Sequence, residues 1–378
     1  MSIIRRNLLS KYNVPYDAEL EWIGVCKGAS INTGIYPSTN YKYYWKYLWY
    51  GYTANTYIFT NSSSNGDWFI FGGVESSGKA QIHIKDVSYV NGSVLAFNTI
   101  YTGSLEKVDS NLVVTLNNTT YSQLAYENFT SSSVLYIKNT TSIPTPIYYF
   151  KVKDNNNNVI LNAKPVRIGQ VGYMYDTISR QLLPNTGTLI LGPDKSETPI
   201  YDKKVRYLRN TSSAAGASRF ETDYKPNTKT EVILVGNISG LTKQTRFINT
   251  QTNPLRLDIY INGSSYYAYN FNTTDNNKST AVKAITGNTV MDINGVSKTF
   301  TIYVAGAQKV NLSNITMPSS YAETNEYLKI FGGASGHIPF VGDIIACFIY
   351  DNGQLVRYYY PVRNEGVGYL HELFSNTL

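Results

Sequence analysis

The chain is short of the features that usually announce a chemistry. Its 378 residues include only two cysteines and three histidines. Cys26 and Cys347 lie far apart, each in a strand-like stretch, and read as small buried hydrophobes rather than a disulfide or a metal pair. His83, His337 and His371 stand alone, without a partner at metal-ligand spacing. No metal or other cofactor is therefore expected. Charge is scarce as well, at 16% of residues, so Asn, Ser, Thr and Tyr must cover the surface. The excess of 33 basic over 26 acidic residues gives +7. It is dispersed, apart from Arg5 and Arg6 and a group at Lys203, Lys204, Arg206 and Arg209. Nucleic-acid binding needs a concentrated basic stripe, and that class is set aside.

Other absences narrow the fold. No apolar run approaches the length of a membrane span, and the first residues lack a signal-peptide core. The chain reads as soluble, made in a cytoplasm and not inserted in a membrane. On that reading the Asn-X-Ser/Thr triplets at Asn91, Asn128 and Asn139 are chance products of a polar composition rather than glycosylation sites. No stretch of about ten residues carries a helical period. There is no Gly-x-Ser-x-Gly elbow, Cys/His pairing or phosphate loop.

What is present is tyrosine, 34 residues of it, and an internal repeat. The chain reads Ile-Tyr-Tyr-Phe-Lys-Val-Lys-Asp-Asn from Ile147, Lys-Pro-Val-Arg from Lys164 and Val-Gly-Tyr-Met-Tyr from Val171. It reads Ile-Ala-Cys-Phe-Ile-Tyr-Asp-Asn-Gly from Ile345, Tyr-Pro-Val-Arg from Tyr360 and Val-Gly-Tyr-Leu-His from Val367. The proline-to-glycine spacing is seven in both, Pro165 to Gly172 and Pro361 to Gly368. Each copy implies an alternating half-buried strand, a turn at Asp-Asn, a second strand and a tucked Gly-Tyr segment. Lacking an amide proton, Pro165 and Pro361 are expected at a strand end or edge.

Short β-rich runs between Gly and Asn turns fill the rest, which implies an all-β chain of two sandwiches. The boundaries read as an N-terminal arm over 1–18, a first sandwich over 19–193, a linker over 194–199 and a second sandwich over 200–378. The linker is Asp-Lys-Ser-Glu-Thr-Pro, charged and free of apolar residues. The arm matches nothing in the second repeat and reads either as a frayed terminus or as a docking segment, with Ile3, Ile4, Arg5, Arg6, Leu8 and Leu9 as its contacts. The first sandwich ends in a strand at Thr188 to Leu191 that the second copy lacks. Either the second does without it, which is preferred, or a neighbouring segment supplies the edge.

The most aromatic stretch runs from Tyr41 to Tyr52. At period two, Tyr41, Tyr43, Trp45, Tyr47 and Trp49 share one face, and Lys42, Tyr44, Lys46, Leu48 and Tyr50 the other. One face must be core. Candidate ligand contacts are Tyr44, Trp45, Trp49 and Tyr50.

The Asn-Thr-Gly-Ile-Tyr-Pro element from Asn32, the Asp-Asn-Gly turn, Pro-Val-Arg and Val-Gly-Tyr-Met-Tyr-Asp together resemble the concanavalin A-like, laminin-G-like jelly-roll domains of virion proteins from phages of gut Bacteroidota. The resemblance covers two tandem copies and omits only the first 18 residues or so. It implies a jelly roll in each half and a place in a head fibre, tail fibre or surface appendage. Partners would be other virion proteins through the arm, a cell-surface glycan and further copies of the chain. The second copy departs at its start, where Tyr207-Leu208 leads to no Thr-Gly-Ile, and at its end.

Glycosidases on such scaffolds need two carboxylates about 5 to 9 Å apart, supplied in the laminarinase-like families by a Glu-x-Asp-x-x-Glu strand that is absent here. Glu19 and Glu21 form the nearest pair and read as a solvated strand edge. The chain is thus read as a non-enzyme: an adhesive virion protein first, a purely structural assembly protein second, a glycan depolymerase third. A calcium site at Asp154 to Asn158 stays open as a side reading, but as a turn that run needs no metal.

Overall fold

The computed structural model describes residues 14–51, 56–61, 68–74, 78–85, 87–124, 128–141, 143–196, 199–211, 220–241, 245–250, 257–261, 266–271, 278–315, 327–330, 338–375 and 377. All regular structure among them is β, and the chain divides into two compact units, Met1–Thr198 and Pro199–Leu378. Each is a jelly-roll-type sandwich of two sheets with non-sequential strand order, antiparallel apart from the pairing of Thr245–Asn249 with Ile338–Pro339 in the second unit.

The first unit's larger sheet runs Thr119–Leu124, Asn111–Leu116, Thr99–Val108, Lys42–Trp49, Thr145–Lys153, Val159–Ile168 and Val171–Asp176. The second unit repeats this order with Ala307–Ser313, Thr299–Val304, Gly287–Asn294, Thr230–Gly240, Val341–Asp351, Gln354–Asn364 and Val367–Glu372. The strand Lys42–Trp49 alternates half-buried and buried at every step, starting with half-buried Lys42. Its inner face, with Tyr43, Trp45 and Tyr47 at 0% exposure, packs on Phe59, Phe69 and Phe71 of the smaller sheet. Fully burying one such side chain contributes about 1.5–3 kcal/mol, so this aromatic layer is the first unit's main anchor. In the second unit aliphatic residues, Val232, Leu234, Met291, Ile293 and Ile302, do the same work.

The prolines of the repeat correct an expectation. Pro165 and Pro361 lie well inside the strands Val159–Ile168 and Gln354–Asn364, opposite Met174 and Leu370. They are tolerated because pairing with the preceding long strand stops at Ala163 and Tyr359. On that side each proline offers only its carbonyl, to the amides of Leu20 and Val205 respectively. No donor is missed.

These bonds also move the start of the repeat. Tyr16-Asp17 and Tyr201-Asp202 are equivalent. Asp17 N–H donates to Arg167 O and Asp202 N–H to Arg363 O, while the Asp17 and Asp202 carboxylates accept from the amides of Gly169 and Glu365. Tyr16 stacks edge-on against Tyr175, and Tyr201 against His371. Val14 to Ala18 therefore belong to the first sandwich, not to an arm. Asp194, read as linker, is also part of it, since Asp194 bridges Leu20 and binds Arg167.

The turns divide by length. Asn117-Asn118 and Asn352-Gly353 are two-residue hairpin loops with positive φ at both positions, as their sequences require. Asn294-Gly295 instead opens a longer loop, closing at Thr299. Asn262-Gly263 lies outside the described residues.

Candidate functional site

The four candidate ligand contacts separate. Trp45 and Trp49 are core, at 0% and 3% exposure, and are withdrawn as contacts. Tyr50 is withdrawn too: the strand has ended at Trp49, Gly51 turns the chain at φ +85, and Tyr50 is buried at 5% exposure. Only Tyr44 stays on the outer face. The arm contacts Ile3, Ile4, Arg5, Arg6, Leu8 and Leu9 lie outside the described residues.

Around Tyr44 the outer sheet face is built from two neighbouring strands. Tyr44 lies opposite Lys151, Lys42 opposite Lys153, and Lys46 opposite Tyr149. A register shift between Ile147 and Tyr149 sets Tyr148 out of the alternation. Its ring then receives the Lys46 ammonium at 5.0 Å. Lys151 and Lys153 lie over the Tyr44 ring at 5.2 and 5.7 Å. Of these lysines, Lys42 is paired with Glu106 at 3.1 Å. Cation–π contact fixes the ammoniums on rigid rings at low entropy, so the face presents positive charge in fixed positions. The tyrosine faces themselves are occupied, which leaves little ring surface for stacking on a sugar.

A second concavity lies in the second unit. A cleft of about 390 Å³ opens beside Phe220–Glu221, with Glu221, Asp223, Tyr359, Tyr369 and Glu372 among its walls. The Glu221/Asp223 pair has the same spacing as Glu19/Glu21 and was not singled out from the sequence. Asp223 takes a two-pronged hydrogen bond from Arg357 at 2.7 and 2.8 Å and another from the Tyr359 hydroxyl at 3.1 Å. Those bonds, Arg357 first, hold its pKa below the ordinary carboxylate value. Glu372 accepts from the amides of Tyr358 and Ser375. A carboxylate kept ionised by a guanidinium is a poor proton donor.

Glu19 is held by Lys164 and by Tyr16, with Lys195 at 3.4 Å, in a structural cluster. Asp154 accepts the amides of Asn156 and Asn158 and the Asn158 side chain, which is a closed turn. No group of three or more potential metal ligands occurs among the described residues. His371 packs between Tyr201 and Tyr360 at 5.0 Å from each ring. His337 lies outside the described residues. Cys347 is buried, as expected, whereas Cys26 is only half-buried. Asn139, far from being an exposed sequon, is buried with its amide donating to Val25 O, Ile143 O and Thr145 Oγ1.

One acid, Asp292, half-buried overall but with its Oδ1 shut off from water and unpaired, carries a pH prediction. Asp292 sits opposite Ile233 while Glu231 sits opposite Asn294, which makes Glu231 and Asp292 diagonal neighbours on one face. Burial, then the charge of Glu231, raises the Asp292 pKa well above its ordinary 3.8. A carboxyl with a raised native pKa favours folding fully below its unfolded value, and that contribution is lost as pH climbs towards the native one. Asp292→Asn should therefore leave stability unchanged near pH 3 and raise it by roughly 1–3 kcal/mol at pH 7. Thermal unfolding at the two pH values measures the difference.

No protein-family model matches the chain, and no curated protein matches it. Among solved structures, domains LG4-5 of the mouse laminin α1 chain align over 91% of this chain and 93% of theirs, at 10% identity and a TM-score of 0.37. The LG1-3 region of the laminin α2 chain aligns over 93% of this chain and 66% of its own, at 9% identity and a TM-score of 0.33.

Proposed function

We propose that the chain is a non-catalytic adhesive protein of a phage particle, and that the lysine–tyrosine face of its first sandwich holds an anionic cell-surface polymer. The observation that carries this reading is the seating of Lys46, Lys151 and Lys153 over the rings of Tyr148 and Tyr44. Such a face recognises repeated negative charge on uronic-acid, phosphate or sulfate groups. Each contact is weak, and many copies on a particle would add them into useful avidity. The particle itself is suggested by the resemblance of the repeat to virion jelly rolls.

The test is binding of the purified chain to acidic and neutral polysaccharides by surface plasmon resonance. Binding to the acidic polymer is expected to weaken between about 0.05 and 0.5 M salt. The triple variant Lys46→Glu, Lys151→Glu, Lys153→Glu should bind roughly tenfold or more weakly, with an unchanged fold. Salt-independent binding, or a triple variant that binds like the parent, would exclude this face. Failure to bind any glycan, with the chain still held on the particle, would favour a purely structural role.

A further inference from the structure

A row of polar side chains crosses the smaller sheet of the second unit, and the first unit does not repeat it. Thr245–Asn249 lies between Lys329–Ile330 and Leu257–Ile261. Ile248 pairs with Ile330 on one side and Ile259 on the other, and all three enter the core. The next position carries Asn249 opposite Lys329, and the Asn249 amide nitrogen donates to Asp258 Oδ1 at 2.7 Å. Lys329, Asn249 and Asp258 therefore stand side by side on the face away from the core. They are nevertheless buried, at 3%, 1% and 0% exposure.

The first unit shows that the scaffold does not require these groups. The amides of Leu135 and Leu328 make equivalent bonds, to Ile35 O and Tyr224 O. That match aligns Tyr136 with Lys329, Thr60 with Asn249 and Ile70 with Asp258. An isoleucine fills the place of the buried acid. Burying an ammonium and a carboxylate where a tyrosine and an isoleucine suffice is costly, and folding alone does not call for it.

Reactivity does. Lysine brings a nucleophilic nitrogen, asparagine a carboxamide, and Asp258 a base already hydrogen-bonded to the nitrogen that would leave. Directly opposed residues on neighbouring strands have Cβ atoms about 4.5–5.5 Å apart, a gap that the stem of Lys329 spans. The Lys329 ammonium also lies 3.6 Å from Glu221 Oε2, and Arg246 Nη1 lies 3.5 Å from Asp258 Oδ2. The Asn249 carbonyl oxygen is buried and has no hydrogen-bond partner among the described residues.

We propose that Lys329 and Asn249 join in an intramolecular amide bond, with Asp258 as the catalytic residue. Asp258 takes one proton from the Lys329 ammonium. Nζ then attacks Asn249 Cγ, the Cγ–Nδ2 bond breaks, and the departing nitrogen collects the proton held by Asp258 and a second one shed by Nζ. Ammonium leaves with the positive charge, so atoms and charge balance without a co-reactant. The new amide N–H stands where Nδ2 stood and keeps the hydrogen bond to Asp258. The product is a covalent staple between strands distant in sequence, which restricts the unfolded chain as a disulfide does.

Intact mass spectrometry of the purified full chain is the test. The parent is expected about 17 Da below the mass of its sequence, the loss of one ammonia, and peptide mapping should find Asn249 and Lys329 in one branched peptide. Lys329→Arg removes the nucleophile and Asp258→Asn the base, so each variant should show its full sequence mass. A parent at full sequence mass overturns the proposal, whatever the variants do. So does a loss that survives in Lys329→Arg, or one that maps to a succinimide at Asn294 or Asn352, each of which precedes a glycine. A loss unchanged in Asp258→Asn overturns the role given to Asp258.

Discussion

Trp45→Ala is expected to destabilise the first sandwich strongly and not to act as a loss of ligand contact. The indole is fully buried, 5.7 and 5.1 Å from the rings of Phe59 and Phe71. Its far edge rests on Gly103, where even a methyl group would lie 2.2 Å from indole Cε2. Glycine is needed there to let the ring lie flat on the neighbouring strand. Truncating a large aromatic in such a core costs about 3–5 kcal/mol, through lost burial and an uncollapsed cavity. A domain is stable by only about 5–15 kcal/mol, so the variant removes a large part of the first unit's margin. The check is thermal unfolding followed by calorimetry, where two units permit two transitions. The transition of the first unit should fall sharply, and that of the second should stay. Tyr44→Ala, on the outer face, should move neither by more than about 0.5 kcal/mol. A Trp45→Ala chain that melts normally but fails to bind a glycan would restore the tryptophan as a contact.

The difference between these two neighbours shows what the sequence made legible. Alternation from Lys42 to Trp49 sorted the residues into two faces, because a strand's side-chain period is fixed at two, but candidates were drawn from both, and Trp45 and Trp49 fell on the core side. It could not say where the strand ends, and Tyr50 went to the wrong side for that reason. The repeat motif located the long strands but not the proline's place in them. That place depends on which neighbour stops pairing at Ala163 and Tyr359, a tertiary fact. Tyr16-Asp17 and Tyr201-Asp202 were a readable signal, two residues long and overlooked beside the longer motif. Asn185–Thr186 and Ile190–Leu191 are too short to carry a period of their own and are strands only because an edge receives them. The cleft was illegible for the same reason: Phe220, Tyr359 and Glu372 come together only when the sheets close.

Asp194→Ala should be the other large perturbation, and Arg363→Ala its silent counterpart. The Asp194 carboxylate is 4% exposed and the Arg167 side chain 18%, so removing the acid leaves a guanidinium largely out of water without its carboxylate, its bond to Gly169 O still in place. Breaking such a pair from one side costs about 3–5 kcal/mol. The closing segment should loosen with it, because Asp194 also bridges Leu20. Hydrogen exchange at residues 185–194 would show this before global unfolding does. Replacing both partners, Arg167→Met with Asp194→Leu, should recover most of the loss, since no charge is then stranded. Arg363 is exposed, and its truncation should change stability by no more than about 0.5 kcal/mol. If Arg363→Ala were as costly as Asp194→Ala, the guanidinium would already have a buried partner in the isolated chain.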